Sequence, residues 1–175
     1  MRRKLSFEEI QDRKPSVETV RDMARSPIFL ILDNLRSLHN VGAIFRSADA
    51  VGVSKIFLCG MTGVPPRGEI AKTALGAEEL VPFEYYENTM DAVKRMKKEG
   101  VEVVAVEITD DGELYCEANY KFPVCFVLGH EVQGVDDEVV KACDRAVYLP
   151  MKGRANSLNV ATCAGIILYD SQRRI

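Results

Sequence analysis

Apolar residues in this chain fall in short runs parted by polar, turn-forming stretches, and the runs are of two kinds. Residues 28–32, 55–59, 101–106, 124–128 and 146–149 are almost continuously apolar over strand length, the pattern of strands buried on both faces. Between them the apolar positions recur at helical spacing. Ile44, Phe45, Ala48 and Val51 share one face of a helix opening near Asn40, and Val160, Cys163, Ala164, Ile167 and Leu168 share one face of a terminal helix. Glycine and capping residues punctuate the rest. A helix over 69–75 stops at Gly76 and a short strand follows over 80–83. Asn88 caps a third helix, with Asp91 and Arg95 at pairing distance, and Gly100 ends it. Asp136 and Asp137 start a short helix to Cys143, and residues 109–122 form a polar connection without a readable element. Strands alternating with helices predict an α/β fold, a mostly parallel sheet with helices on both faces.

The N-terminal stretch is different in kind. Ser6 followed by Glu9 is a capping box, and Val17, Val20 and Ala24 lie on one stripe, so residues 1–26 predict one or two short helices split near Pro15, forming an extension ahead of a domain at 27–175. The extension holds seven Lys or Arg against five Asp or Glu, while residues 84–117 are mostly acidic. The net charge of −3 excludes a protein that coats nucleic acid by bulk electrostatics and leaves a local basic groove open. With 47% hydrophobic residues and no apolar run of membrane-spanning length, the composition predicts a soluble, cytoplasmic protein without membrane attachment. Five dispersed cysteines without a C-x-x-C pair read as reduced core thiols. The two histidines have no cysteine at ligand spacing, so no metal site is expected.

Common catalytic motifs are missing: no G-x-G-x-x-G after the first strand, no G-x-x-x-x-G-K-[ST], no H-E-x-x-H and no G-x-S-x-G. Three polar clusters remain, each placed just after a strand: His39, Asn40 and Arg46; Gly129, His130 and Glu131; Ser157 and Asn159. In a parallel sheet the strand C-termini share an edge, so the three clusters can meet there. The segment 149–170 combines a strand end, a loop with Lys152, Gly153, Arg154 and Asn156, and a helix start for which Ser157 is the expected N-cap. Taken alone it reads equally well as an ordinary crossover with a well-capped helix. His39 is read as structural, and the Gly-Pro loop 60–69 is a second place where such sheets hold ligands.

Three pieces, LDNLRSLHNVGAIFRSADAVGV from Leu32, FVLGHEVQGV from Phe126 and LPMKGRANSLNVATCAGIILYD from Leu149, resemble in order and spacing the SpoU/TrmH family of RNA ribose methyltransferases of the SPOUT superfamily. The resemblance spans 29–169. It implies a sheet whose C-terminal segment is threaded as a deep trefoil knot, with S-adenosylmethionine bound in the knotted loops. It further implies a homodimer acting on tRNA or rRNA at a ribose 2′-hydroxyl. Carried over by position, Arg46, Asn40, Glu131, Ser157 and Asn159 would serve catalysis. Leu128, Gly129, His130, Leu149, Met151, Ser157 and Leu158 would wrap the cofactor, and Arg46, Lys152 and Arg154 would meet RNA. Where relatives commonly carry asparagine before the glutamate, this chain has His130, which keeps a hydrogen-bonding side chain and adds a titratable one. The alternatives are an RNA-binding protein that keeps the fold without catalysis, and an α/β enzyme acting on a small nucleotide.

Overall fold

The computed structural model describes residues 2–175. Two short helices, α1 (Phe7–Asp12) and α2 (Val17–Asp22), come first, each capped by a serine and neither burying a residue. The chain then alternates β1 (Ser26–Asp33), α3 (Leu38–Val51), β2 (Val53–Cys59), α4 (Gly68–Ala74), a 3₁₀ turn (Ala77–Glu79), β3 (Phe83–Tyr86), α5 (Thr89–Lys98) and β4 (Glu102–Val106). β5 (Glu113–Leu114), β6 (Val124–Leu128), α6 (Asp137–Ala142), β7 (Arg145–Tyr148) and α7 (Val160–Gln172) complete it.

All strand pairings are parallel, in the order β3-β2-β1-β6-β4-β7-β5. Because side chains alternate across a strand, Leu30 and Leu32 enter one core layer and Ile31 the other. On β6, Phe126 and its neighbours Cys125 and Val127 divide in the same way. One layer lies under α3, α4 and α7, the other under α5 and α6. That double burial explains why the strands are apolar without alternation. The chain order reverses direction between β1 and its neighbour β6, where Leu32 stands opposite Leu128; on the far side of this reversal the segments leaving the adjacent strands β6, β4 and β7 open a crevice at the sheet's C-terminal edge.

Several sequence expectations shift. The strand expected over 80–83 begins instead at Phe83. Pro82 has no N–H to give the ladder and contributes only its carbonyl, which accepts from Ile56 N at 2.9 Å. Asp91 does not pair with Arg95 but faces Lys94 at 3.9 Å. Arg95 instead turns its fork to Glu84 on β3, 2.8 Å away, to Tyr86 and to Glu99. The connection 109–122 contains an edge strand, β5, too short to leave a pattern. All five cysteines are free, but Cys116 is exposed rather than in the core.

Candidate active site

The crevice is walled by three segments that each leave the C-terminal end of a strand, β4, β6 and β7, and it encloses a cavity of about 450 Å³, within the range that holds a nucleoside-sized ligand. After β6 the chain makes a tight return: His130 N donates to Gly134 O at 2.9 Å and Gly134 N to His130 O at 2.8 Å. Gly129 has to be glycine for this return, since a Cβ there would lie 2.1 Å from the backbone of Gly134 and Val135. His130 Nδ1 accepts from Val132 N at 3.1 Å and Gln133 N at 3.3 Å, so the neutral ring carries its proton on Nε2. His130 thus braces the same turn that Gly129 permits.

The turn delivers Glu131 to the start of α3. Glu131 Oε2 accepts from Arg36 N at 3.0 Å, and Oε1 accepts from Ser37 N at 2.9 Å and from Asn40 Nδ2 at 2.9 Å. Ser37 is itself the N-cap of α3, accepting from Asn40 N. Burial alone would raise the Glu131 carboxyl, but the donors from Asn40, Arg36 and Ser37 outweigh it and bring it down to about 2. A carboxylate accepts only, so the Asn40 amide is fixed with its nitrogen toward Glu131 and its oxygen turned outward. That oxygen accepts from Asn159 Nδ2 at 3.1 Å. The Asn159 oxygen in turn accepts from Ala161 N at 2.9 Å and Thr162 N at 3.3 Å, capping α7. One relay, Glu131 to Asn40 to Asn159, therefore joins β6, α3 and α7 in a single donor and acceptor order.

The structure brings most of the expected residues together. Leu128, Gly129, His130, Glu131, Leu149, Ser157, Leu158 and Asn159 line the cavity, and Asn40 joins through the relay. Ser157, expected to cap α7, lies two residues before the actual cap, because Asn159 has the side chain that reaches both Ala161 N and Thr162 N. Met151 is half-buried, and Lys152 and Arg154 are exposed; all three lie outside the cavity wall. Arg46 is exposed on α3, six residues past Asn40, which is about 9 Å along the axis and on another side of the helix, so it does not reach its own chain's cavity. His39 is exposed too, and its carbonyl accepts from Thr73 Oγ1. The Gly-Pro loop lies instead beside a shallow groove with Pro65, Pro66 and Phe83.

Two contributors were not foreseen. The main-chain N–H groups of Arg36 and Ser37 leave no residue-type signal, because any residue supplies an N–H. Glu107 also lines the cavity, and a carboxylate at the first position after an apolar strand run was the signal that could have found it. Among the described residues no group of three or more His, Cys, Asp or Glu side chains is placed to hold a metal ion, and no helix is long and apolar enough to cross a membrane.

Known proteins resemble this chain in sequence and in fold. The tRNA (guanosine(18)-2'-O)-methyltransferase of Aquifex aeolicus is 31% identical over 165 residues, covering 94% of this chain and 78% of that protein. The 23S rRNA (guanosine-2'-O-)-methyltransferase RlmB of Shewanella oneidensis is 35% identical over 148 residues, 85% of this chain and 60% of that protein. Among solved structures, the A. aeolicus TrmH/SpoU tRNA modifying enzyme matches with a TM-score of 0.81 at 30% identity, over 90% of this chain and 81% of that one. The AdoMet-bound rRNA methyltransferase from Sinorhizobium meliloti matches with a TM-score of 0.81 at 31% identity, over 89% and 60%. The chain thus spans only about three-fifths of its longer relatives. The model of the SpoU rRNA Methylase family matches residues 27–169, which take in every strand but the first residue of β1, the relay and the cavity wall, and the chain belongs to that family.

Proposed function

We propose that this protein transfers a methyl group from S-adenosylmethionine to a ribose 2′-hydroxyl of tRNA or rRNA. The observation that carries the reading is the cavity with the Glu131–Asn40–Asn159 relay at its side: a nucleoside-sized space bordered by polar groups whose orientation is already set. The names of the relatives, tRNA and rRNA guanosine-2'-O-methyltransferases, and the AdoMet-bound neighbour support it.

The donor would supply an electrophilic methyl group, and the segments around Leu128, Gly129, His130, Leu149, Ser157 and Leu158 would hold it, with Met151 supporting the loop from outside the cavity. Attack has to be in line, so fixing the ribose against the methyl supplies much of the acceleration. Asn40, aligned by Glu131 and Asn159, would orient the ribose, and Ser157 is exposed on the cavity wall. A guanidinium donates and does not accept, so Arg46 would grip the neighbouring phosphate and stabilise the forming alkoxide while a phosphate oxygen or water takes the proton. Lys152 and Arg154 would add phosphate contacts, read as a shallower salt dependence of RNA binding when they are removed.

Arg46 can do this only if a second copy brings it to a cavity. Supporting a homodimer, α7 is apolar nearly all round, yet Tyr169 is exposed and Ile166 only half-buried in the single chain. α3 runs close beside α7, with Ser47, the neighbour of Arg46, 3.7 Å from where a Cβ on Gly165 would sit. We also assign residues 1–26 to a helical extension and 27–175 to the methyltransferase domain, take the trefoil knot to be present as in the family, and place the protein in the cytoplasm.

Labelled methyl transfer to total RNA by the wild type and by Arg46→Ala tests the reading. The wild type should label RNA and Arg46→Ala should lose transfer while keeping its affinity for the donor. A folded wild type that binds RNA and never labels it would instead establish the non-catalytic RNA-binding reading.

A further inference from the structure

We infer that Glu107 recognises the vicinal ribose hydroxyls of the methyl donor, an assignment that rests on the proposed use of an S-adenosyl donor. Glu107 directly follows β4 and lines the cavity. Its carboxylate is held in place by main chain on both oxygens. Oε1 accepts from Ile108 N at 2.9 Å, and Oε2 accepts from Val135 N at 3.0 Å. Gly134, in the left-handed region at φ 75°, packs against it so closely that a Cβ there would fall 2.2 Å from Oε2.

A carboxylate has about four acceptor positions, so after these two contacts each oxygen keeps capacity for a ligand. Two acceptors at fixed spacing match two hydroxyls on adjacent ribose carbons, and an acidic side chain past a strand end is a general solution for holding a ribose in α/β folds. The other carboxylate on the wall, Glu131, has three donors already and is turned to the start of α3. Among the described residues no lysine or arginine lines the cavity to compete for Glu107. The same carboxylate ties β4 to the turn after β6, so the diol would be read by a group that also sets the shape of the cavity.

Calorimetric titration of S-adenosylhomocysteine and of its 2′-deoxyribose and 3′-deoxyribose analogues into the wild type and Glu107→Gln tests the assignment. Loss of either hydroxyl should weaken wild-type binding by about tenfold or more, the scale of one hydrogen bond to a charged group. Glu107→Gln should lose a similar factor for the parent ligand and show little further loss for the deoxy analogues. An equal deoxy penalty in both proteins would overturn the assignment, whatever the change in overall affinity. Absence of measurable S-adenosylhomocysteine binding by the wild type would overturn the donor reading beneath it, a distinct result. Glu107→Asp, which keeps the charge but withdraws it by one methylene, carries the same comparison should the glutamine variant fail to fold.

Discussion

Glu131 shows how a single carboxylate can set the hydrogen-bond order along a cavity wall. With three donors on two oxygens it dictates which way Asn40 points, and Asn40 dictates Asn159. Its pKa of about 2 lies below the ordinary 4.5, so its stabilising contribution is complete above pH 4.5 and is lost as pH falls toward 2. Urea unfolding of wild type and Glu131→Gln should show a stability gap at neutral pH that closes across that window. The glutamine amide would set a donor against one of the three N–H groups, which is the source of the gap. That Glu131 stands just past a strand, where the polar clusters can meet, was legible from residue type and resemblance. Its partners Arg36 and Ser37 were not, because their contribution is made by backbone.

At the scale of the element, α7 begins where its cap and the relay coincide. Asn159 holds the first turn with its oxygen and Asn40 with its nitrogen, so one side chain serves stability and site geometry at once. Asn159→Ala should cost about 1 kcal/mol in unfolding experiments, the usual value of an N-cap. Asn159→Asp should retain most of that stability, since its carboxylate still accepts from Ala161 and Thr162. It would nevertheless set an acceptor against the Asn40 oxygen, and methyl transfer should fall about tenfold or more through misplacement of the ribose. The separation of stability from activity in this pair distinguishes the two duties. Ser157 was the natural choice of cap from residue type alone, but two more residues of loop are spent before the helix can start.

Across the whole molecule, β1, the connection after β6 and α5 are pinned at one buried group. Asp33, 1% exposed, accepts from Thr89 Oγ1 at the start of α5 and from Asp136 N ahead of α6. Asp33→Ala would remove the acceptor of both, leaving the Thr89 hydroxyl without a partner in the interior and the Asp136 N–H without one in a part-buried turn. It should cost about 3 kcal/mol, read as a melting temperature about 6–12 °C lower for a chain of this size. The layered α/β class, five of the strand runs and the polar clusters behind them were determined by the sequence itself. Burial on both faces and helical spacing leave local patterns that need no knowledge of distant contacts. Strand order, the relay among residues 91 to 119 positions apart and the exclusion of Arg46 from its own cavity were decided only by tertiary structure. These depend on which strand C-termini become neighbours and on which side of a helix faces the sheet, choices made by packing the whole chain.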